Sequence, residues 1–197
     1  MKAIVAFSVL LFSYTSFAGI LLEPFVGYDS GTTTATTTAA YGGTTQKSKL
    51  TGTSYGARLG YRFTGGFLIA GEYTASSGKV KDDAGVNADV DYTHSATGLY
   101  LGFDQGLFRA WLGYGFTDKL ISKSNSGDDT TLGTNMKIGI GVMPIRHLSV
   151  NLEYFVPTYK KYTAAGQSEV DVSTIYSKYD SSVLTLSLST PFDFGGK

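Results

Sequence analysis

The chain has 197 residues, enough for one domain, with 16 basic residues set against 16 acidic ones and no cysteine. Balanced charge leaves no electrostatic footprint for nucleic acid or an anionic surface, and the missing thiols exclude a disulfide framework and thiolate chemistry. Abundant glycine (25), tyrosine (14) and phenylalanine (12) beside only 4 prolines favour strands and tight turns over helices.

Residues 1–18 read as a secretory signal peptide. Lys2 supplies the positive start and Ala3 to Phe12 an apolar core too short to span a bilayer. Ser16-Phe17-Ala18 places small residues at a cleavage site, which predicts a mature domain over 19–197 beginning at Gly19. No later apolar run approaches the ~20 residues of a helical span.

From Gly19 on, the dominant signal is a period of two, the mark of a strand whose side chains point alternately to two faces. Strand one is Ile20 to Tyr28, with Leu22, Pro24, Val26 and Tyr28 opposite Glu23. A Thr-rich segment, Asp29 to Gly52, reads as a flexible loop. Strand two, Thr53 to Phe63, sets Tyr55, Leu59 and Tyr61 against Arg58 and Arg62. Thr64-Gly65-Gly66 is a tight turn into strand three, Phe67 to Ala75, where Ile69 and Tyr73 oppose Leu68 and Glu72. Ser76 to Asp91 is a polar loop turning at Asp82-Asp83-Ala84-Gly85, with alternation resuming around Val86 and Val90, which allows a hairpin that continues both strands.

Strand four, Tyr92 to Phe103, sets Leu99 and Leu101 against His94 and Tyr100, and Asp104-Gln105-Gly106 is a short turn. Strand five, Phe108 to Phe116, alternates Ala110, Leu112 and Tyr114 with Arg109, Trp111 and Gly113. A polar loop covers Asp118 to Gly133. Strand six, Thr134 to Pro144, opposes Met136, Ile138 and Ile140 to Lys137, Gly139 and Gly141. After a turn at Pro144 to His147, strand seven, Leu148 to Val156, opposes Leu152 and Tyr154 to Glu153 and Phe155. The last long loop is Pro157 to Ser181. Strand eight, Ser182 to Phe194, sets Leu184, Leu186 and Leu188 against Thr185, Ser187 and Ser189.

Long and short connections alternate without exception. That is the pattern of eight antiparallel up-and-down strands, closed because an open sheet would leave two unpaired edges. Two closed barrels compete, a soluble one with its apolar face inside and a transmembrane one with it outside. The contents of the faces decide. One face carries Glu23, Arg58, Arg62, Glu72, Arg109, Lys137 and Glu153 among glycines, a set able to pair and neutralise in a narrow packed lumen. The other is aliphatic in mid-strand and aromatic near the ends. Phe63, Phe67, Phe103, Phe108 and Phe192 flank the short turns; Tyr28, Tyr55, Tyr73, Phe116 and Tyr154 lie toward the long loops.

With its Leu-Glu-Pro-Phe-Val-Gly-Tyr first strand, its Gly60-Tyr61 and Gly113-Tyr114 pairs and its closing Leu-Ser-Leu-Ser-Thr-Pro-Phe-Asp-Phe, the chain resembles the small bacterial outer-membrane barrels of the OmpA/OmpX type. The resemblance covers Gly19 to Phe194. It implies residence in the outer-membrane bilayer, short turns facing the periplasm and long loops facing outward. It also implies recognition by the barrel-insertion machinery through the strand ending at Phe194, although Gly195-Gly196-Lys197 follow where such families usually stop. No peptidoglycan-binding domain is expected after strand eight.

Specific chemistry is sparse. His94 faces inward without companion ligands, and Asp82-Asp83 and Asp128-Asp129 read as solvated turns, so no metal or cofactor is assigned. His147-Leu148-Ser149 resembles the His-x-Ser pair of lipid A deacylase barrels, but it begins at a short turn and has no evident third member. No catalytic residue is assigned. The leading expectation is a structural or surface-interaction role carried by long extracellular loops, with Val170, Val172, Thr174 and Tyr176 offering a strand-like edge to an extracellular partner. A narrow pore lined by the lumen charges is the alternative, and a lipid-modifying enzyme the second.

Overall fold

The computed structural model describes residues 18–83, 89–124 and 127–194. The expected signal peptide lies outside this set except for Ala18, and so do Ala84, Gly85 and Val86 of the first long connection. Among the described residues ten strands form: β1 Gly19–Thr37, β2 Thr45–Arg62, β3 Phe67–Asp82, β4 Val90–Gln105, β5 Phe108–Ser124, β6 Gly127–Ile145, β7 Leu148–Thr163, β8 Val170–Asp171, β9 Tyr176–Ser189 and β10 Phe192–Phe194. Strands β1 to β7 pair antiparallel in sequence order, and β9 pairs with both β7 and β1, closing a ring of eight. Strand β10 continues β9 against β1 in the same register. The ladder breaks between them because Pro191 has no amide hydrogen to give; Thr190 N–H still donates to Pro24 O at 3.0 Å.

Alternation places the faces. Leu21, Glu23 and Phe25 are buried, whereas Ile20, Leu22 and Val26 are exposed on the outer wall. The same parity exposes Leu59, Leu99, Leu101, Leu112, Ile138, Ile140, Leu152 and Leu186, and it buries Arg58, Tyr100, Trp111 and Glu153. The apolar face is therefore the outside of the barrel.

The long connections are shorter than the sequence pattern implied. Asp29 to Gly52 is not a loop: β1 and β2 stay paired as far as Thr36↔Thr45, and the tip is one 3-10 turn at Ala39–Tyr41 closed by Gly42 at φ 93°. Threonine is β-branched and suits a strand. Polar residues on both faces simply leave no alternation to detect. Pairing likewise continues to Val80↔Val90 and to Ser124↔Gly127, so Ser76 to Asp91 and Asp118 to Gly133 largely form hairpins. The expected edge at Val170 to Tyr176 is a correction of another kind. It folds as the two-residue β8 and a helical turn α1, Val172–Ile175, that buries Val172.

At 19 residues, β1 is about 60 Å long at ~3.3 Å per residue. Tilted by ~40°, it stands roughly 45 Å high against an apolar belt of about 25 Å. The four hairpins therefore extend well beyond the belt at one end, while the other end has only tight turns.

Candidate functional site

The inner wall builds a layered interior from alternate residues. At mid-height Arg58 on β2 is fully buried and clamped by three carboxylates: Nε donates to Glu72 at 2.6 Å, Nη1 to Glu23 at 3.1 Å and Nη2 to Glu153 at 2.7 Å. Arg109 on β5 grips both oxygens of Glu23 at 2.7 Å each. Lys137 bridges Glu72 and Glu153. Three cations and three anions thus neutralise one another, the condition for keeping charge away from water. Phe25, Tyr100 and Trp111 present their ring faces to the Arg58 guanidinium at 4.8, 4.9 and 5.1 Å. Gly139 makes room for this, since a Cβ there would collide with the Trp111 indole.

Toward the tight turns, Arg62 donates to Asp104 and Asp193 at 2.6 Å each. Asp104 is a correction. The Asp-Gly turn chemistry of Asp104-Gln105-Gly106 placed it in a loop, but β4 runs through it and turns only at Gly106-Leu107. Between the two ionic groups lies an apolar layer of Leu21, Leu68, Ala70, Tyr100 and Trp111. A hydroxyl and amide network fills the adjoining wall: Ser149 donates to Asn151, which donates to Ser187 and Ser189, and Ser189 donates to Glu23.

Toward the hairpins the interior changes character. His94 Nε2 meets Asp118 at 3.1 Å, Asn135 donates to the other Asp118 oxygen at 2.7 Å, and the His94 ring stacks on Phe155 at 5.6 Å. Above them Leu50, Tyr92, Leu120 and Val183 form a second apolar layer with Val80, Phe155 and Tyr159. The inward Asp118 and Leu120 escape a sequence reading because Phe116 and Thr117 both sit opposite Thr134 as a β-bulge, which reverses the parity of β5 beyond it. One cavity below the His94–Phe155 stack measures about 30 Å³ and one above it about 10 Å³.

The remaining sequence candidates do not assemble into sites. His147 Nδ1 donates to Pro191 O at 2.8 Å and its ring stacks on Phe192, while Ser149 Oγ donates to Asn151 at 2.7 Å, so imidazole and hydroxyl are engaged elsewhere. Asp83 pairs with Lys49 at 2.6 Å, and Asp129 accepts from the Ala165 amide at 3.2 Å. Among the described residues no group of three or more His, Asp or Glu side chains is arranged for a metal.

Residues 4–192 match the model of the outer membrane protein beta-barrel domain. The chain belongs to this outer-membrane barrel family. Solved structures with the same fold include Ail, the attachment invasion locus protein of Yersinia pestis, in complex with the heparin analogue sucrose octasulfate. It is 13% identical with a TM-score of 0.53, covering 88% of this chain and 99% of Ail. OprG of Pseudomonas aeruginosa is 13% identical with a TM-score of 0.51, over 91% of this chain and 98% of OprG. AlkL, determined in lipid bilayers, is 14% identical with a TM-score of 0.53, over 94% of this chain and 95% of AlkL. The curated proteins give no match.

As a member of the family, the barrel sits in the bacterial outer membrane, and its exposed aliphatic wall faces lipid tails. Aromatics rim that wall at both ends. Phe67 and Phe103 pack edge to face at 5.1 Å beside the tight turns, and Tyr28, Tyr55, Tyr73 and Tyr114 stand exposed toward the hairpins. Beyond the rim, Tyr159, Tyr162, Tyr176 and Tyr179 pack edge to face with centroids 5.3–6.1 Å apart. Burial pushes the Tyr162 and Tyr179 phenols well up, and for Tyr162 the neighbouring Asp129 carboxylate adds to the rise.

Proposed function

We propose that this outer-membrane barrel is a sealed, non-catalytic platform whose four β-hairpins make contacts at the cell surface. The observation that carries the reading is the cross-section at Arg58. A guanidinium held by three carboxylates and covered by Phe25, Tyr100 and Trp111 fills the section, and the cavity on its hairpin side, lined by Glu72, Tyr100 and Lys137, measures about 30 Å³. With the interior so occupied, the surfaces free to act are the hairpins beyond the aromatic rim. In this reading residues 1–18 are removed on export, the hairpins face outward, and the insertion machinery reads the final strand, where Phe192–Phe194 pairs with Ile20–Leu22.

The test is adhesion and autoaggregation by cells displaying the full barrel, compared with cells in which Thr163 is joined to Tyr176 through a short linker. Loss of adhesion with heat-modifiable folding retained supports the reading; unchanged adhesion contradicts it. The second reading, a narrow pore, draws on the charged lumen and its two small cavities. Purified barrel in a planar bilayer separates the two, because a sealed lumen gives no steps at any voltage. For lipid chemistry the His147–Ser149 pair offers no support, since neither group activates the other.

A further inference from the structure

We propose that the hairpin-side half of the lumen holds a monovalent hard cation, of sodium size, between Asp29 and Tyr92. This goes beyond the platform role and does not depend on it. The starting point is a charge imbalance. Glu23, Glu72 and Glu153 are matched by Arg58, Arg109 and Lys137. Asp104 lies between Arg62 and Arg109, Asp193 pairs with Arg62, and Asp118 is held by the His94 ring and the Asn135 amide. Asp29 is 3% exposed and has no cationic partner among the described residues. Two hydroxyls reach it, Ser54 Oγ at 2.9 Å and Thr185 Oγ1 at 2.7 Å, and both go to the same oxygen, Oδ1. Hydroxyl donors do not discharge a carboxylate, and burying an uncompensated one is costly.

The second observation is independent of that charge. Tyr92 is 1% exposed, and its hydroxyl, which lies beside that of Ser76, makes no hydrogen bond of full geometry among the described residues. It is aimed at the same place. Asp29, Gly52, Gly78 and Tyr92 are successive partners across β1, β2, β3 and β4. Tyr92 reaches along this row until its hydroxyl lies against Gly52, the residue opposite Asp29, and a Cβ on Gly52 would collide with that oxygen. Asp29, Tyr92 and the buried Ser76 line one cavity of about 10 Å³, room for one water-sized species. His94 lines it too, with Nε2 turned to Asp118.

The donor chemistry selects the occupant. Carboxylate, phenol and serine hydroxyls are all hard oxygen donors, the set preferred by alkali and alkaline-earth ions. Asp29 is the one carboxylate lining the cavity, and a single positive charge balances it. Threonine and serine hydroxyls donating their protons to Asp29 keep lone pairs free for an ion. A leucine or valine at Gly52 would abolish the reach of Tyr92, which gives this glycine a role besides strand pairing.

The test uses the refolded full barrel in detergent, melted in sodium chloride, potassium chloride or choline chloride at one ionic strength, with sodium-23 line width as a readout separate from stability. The wild type is expected to melt higher in sodium than in choline along a saturable curve and to broaden the sodium line. Asp29→Asn is expected to lose both effects, and Tyr92→Phe to raise the half-saturating sodium concentration by about tenfold, a change of ~1.4 kcal/mol. Equal melting of the wild type in sodium and choline, with no broadening, would overturn the proposal and leave an ordered water between the two groups. If Asp29→Asn does not fold, the wild-type titration and Tyr92→Phe still decide the matter.

Discussion

Arg58 is the residue on which the interior turns, because removing it would leave Glu23, Glu72 and Glu153, three buried carboxylates, with only Arg109 and Lys137 to balance them. Losing one member of a buried ion group typically costs about 3–5 kcal/mol. Arg58→Met is therefore expected to lower the unfolding temperature of the barrel sharply, read by heat-modifiable gel mobility. Arg58→Lys, which restores charge but not the three-way fork, should fall between that and wild type. An unaltered unfolding temperature in Arg58→Met would mean that the carboxylates find other partners. Parity in the sequence put Glu23, Arg58, Glu72, Arg109, Lys137 and Glu153 on one face. Their pairing was not legible, since it joins residues up to 95 positions apart, as in Arg58 with Glu153. Asp104 and Asp118 were hidden for local reasons, one by a turn-like neighbourhood and the other by the bulge at Phe116-Thr117.

At the scale of elements, the strands that cross the belt were readable because lipid outside and ions inside impose a strict alternation. Of the hairpin extensions only Ser76 to Asp91 left a trace, in the alternation around Val90, because water outside the others removes the apolar half of the pattern. Their stability is uneven. β1 and β2 are bonded continuously to Thr36↔Thr45, whereas pairs between β7 and β9 stop at Phe155↔Val183, next to Pro157. Beyond that point the two strands meet through tyrosine rings. Residues 156–159 stay paired to β6 and residues 178–182 to β1, so hydrogen exchange should be faster for those of their amides that point across the seam than for amides of residues 29–36; equal protection would argue for backbone bonds across this seam. The tyrosines also set a pH limit. A phenol whose folded pKa is raised contributes stability that is complete below the unfolded value of ~10 and is lost as pH climbs through the folded value. An ultraviolet titration should show part of the tyrosine signal appearing only above the free-phenol range, together with opening of this hairpin. Ionisation of all phenols near pH 10 would contradict the packing.

For the whole molecule, one inversion explains the composition, the alternation and the compartment: aliphatic residues turn outward to lipid and ionic residues turn inward to each other. Eight strands give a barrel whose interior side chains can fill, and this chain fills it with ion pairs, aromatic rings and hydroxyl chains. Spin labels at Leu59, Leu112, Ile140 and Leu186 in the refolded barrel in bilayers test this most directly, through their collision rates with oxygen and with a water-soluble nickel chelate. High oxygen and low nickel accessibility are expected at all four positions, deepest near mid-strand. Low accessibility to both reagents, as in an enclosed cavity, or high accessibility to nickel, would contradict it.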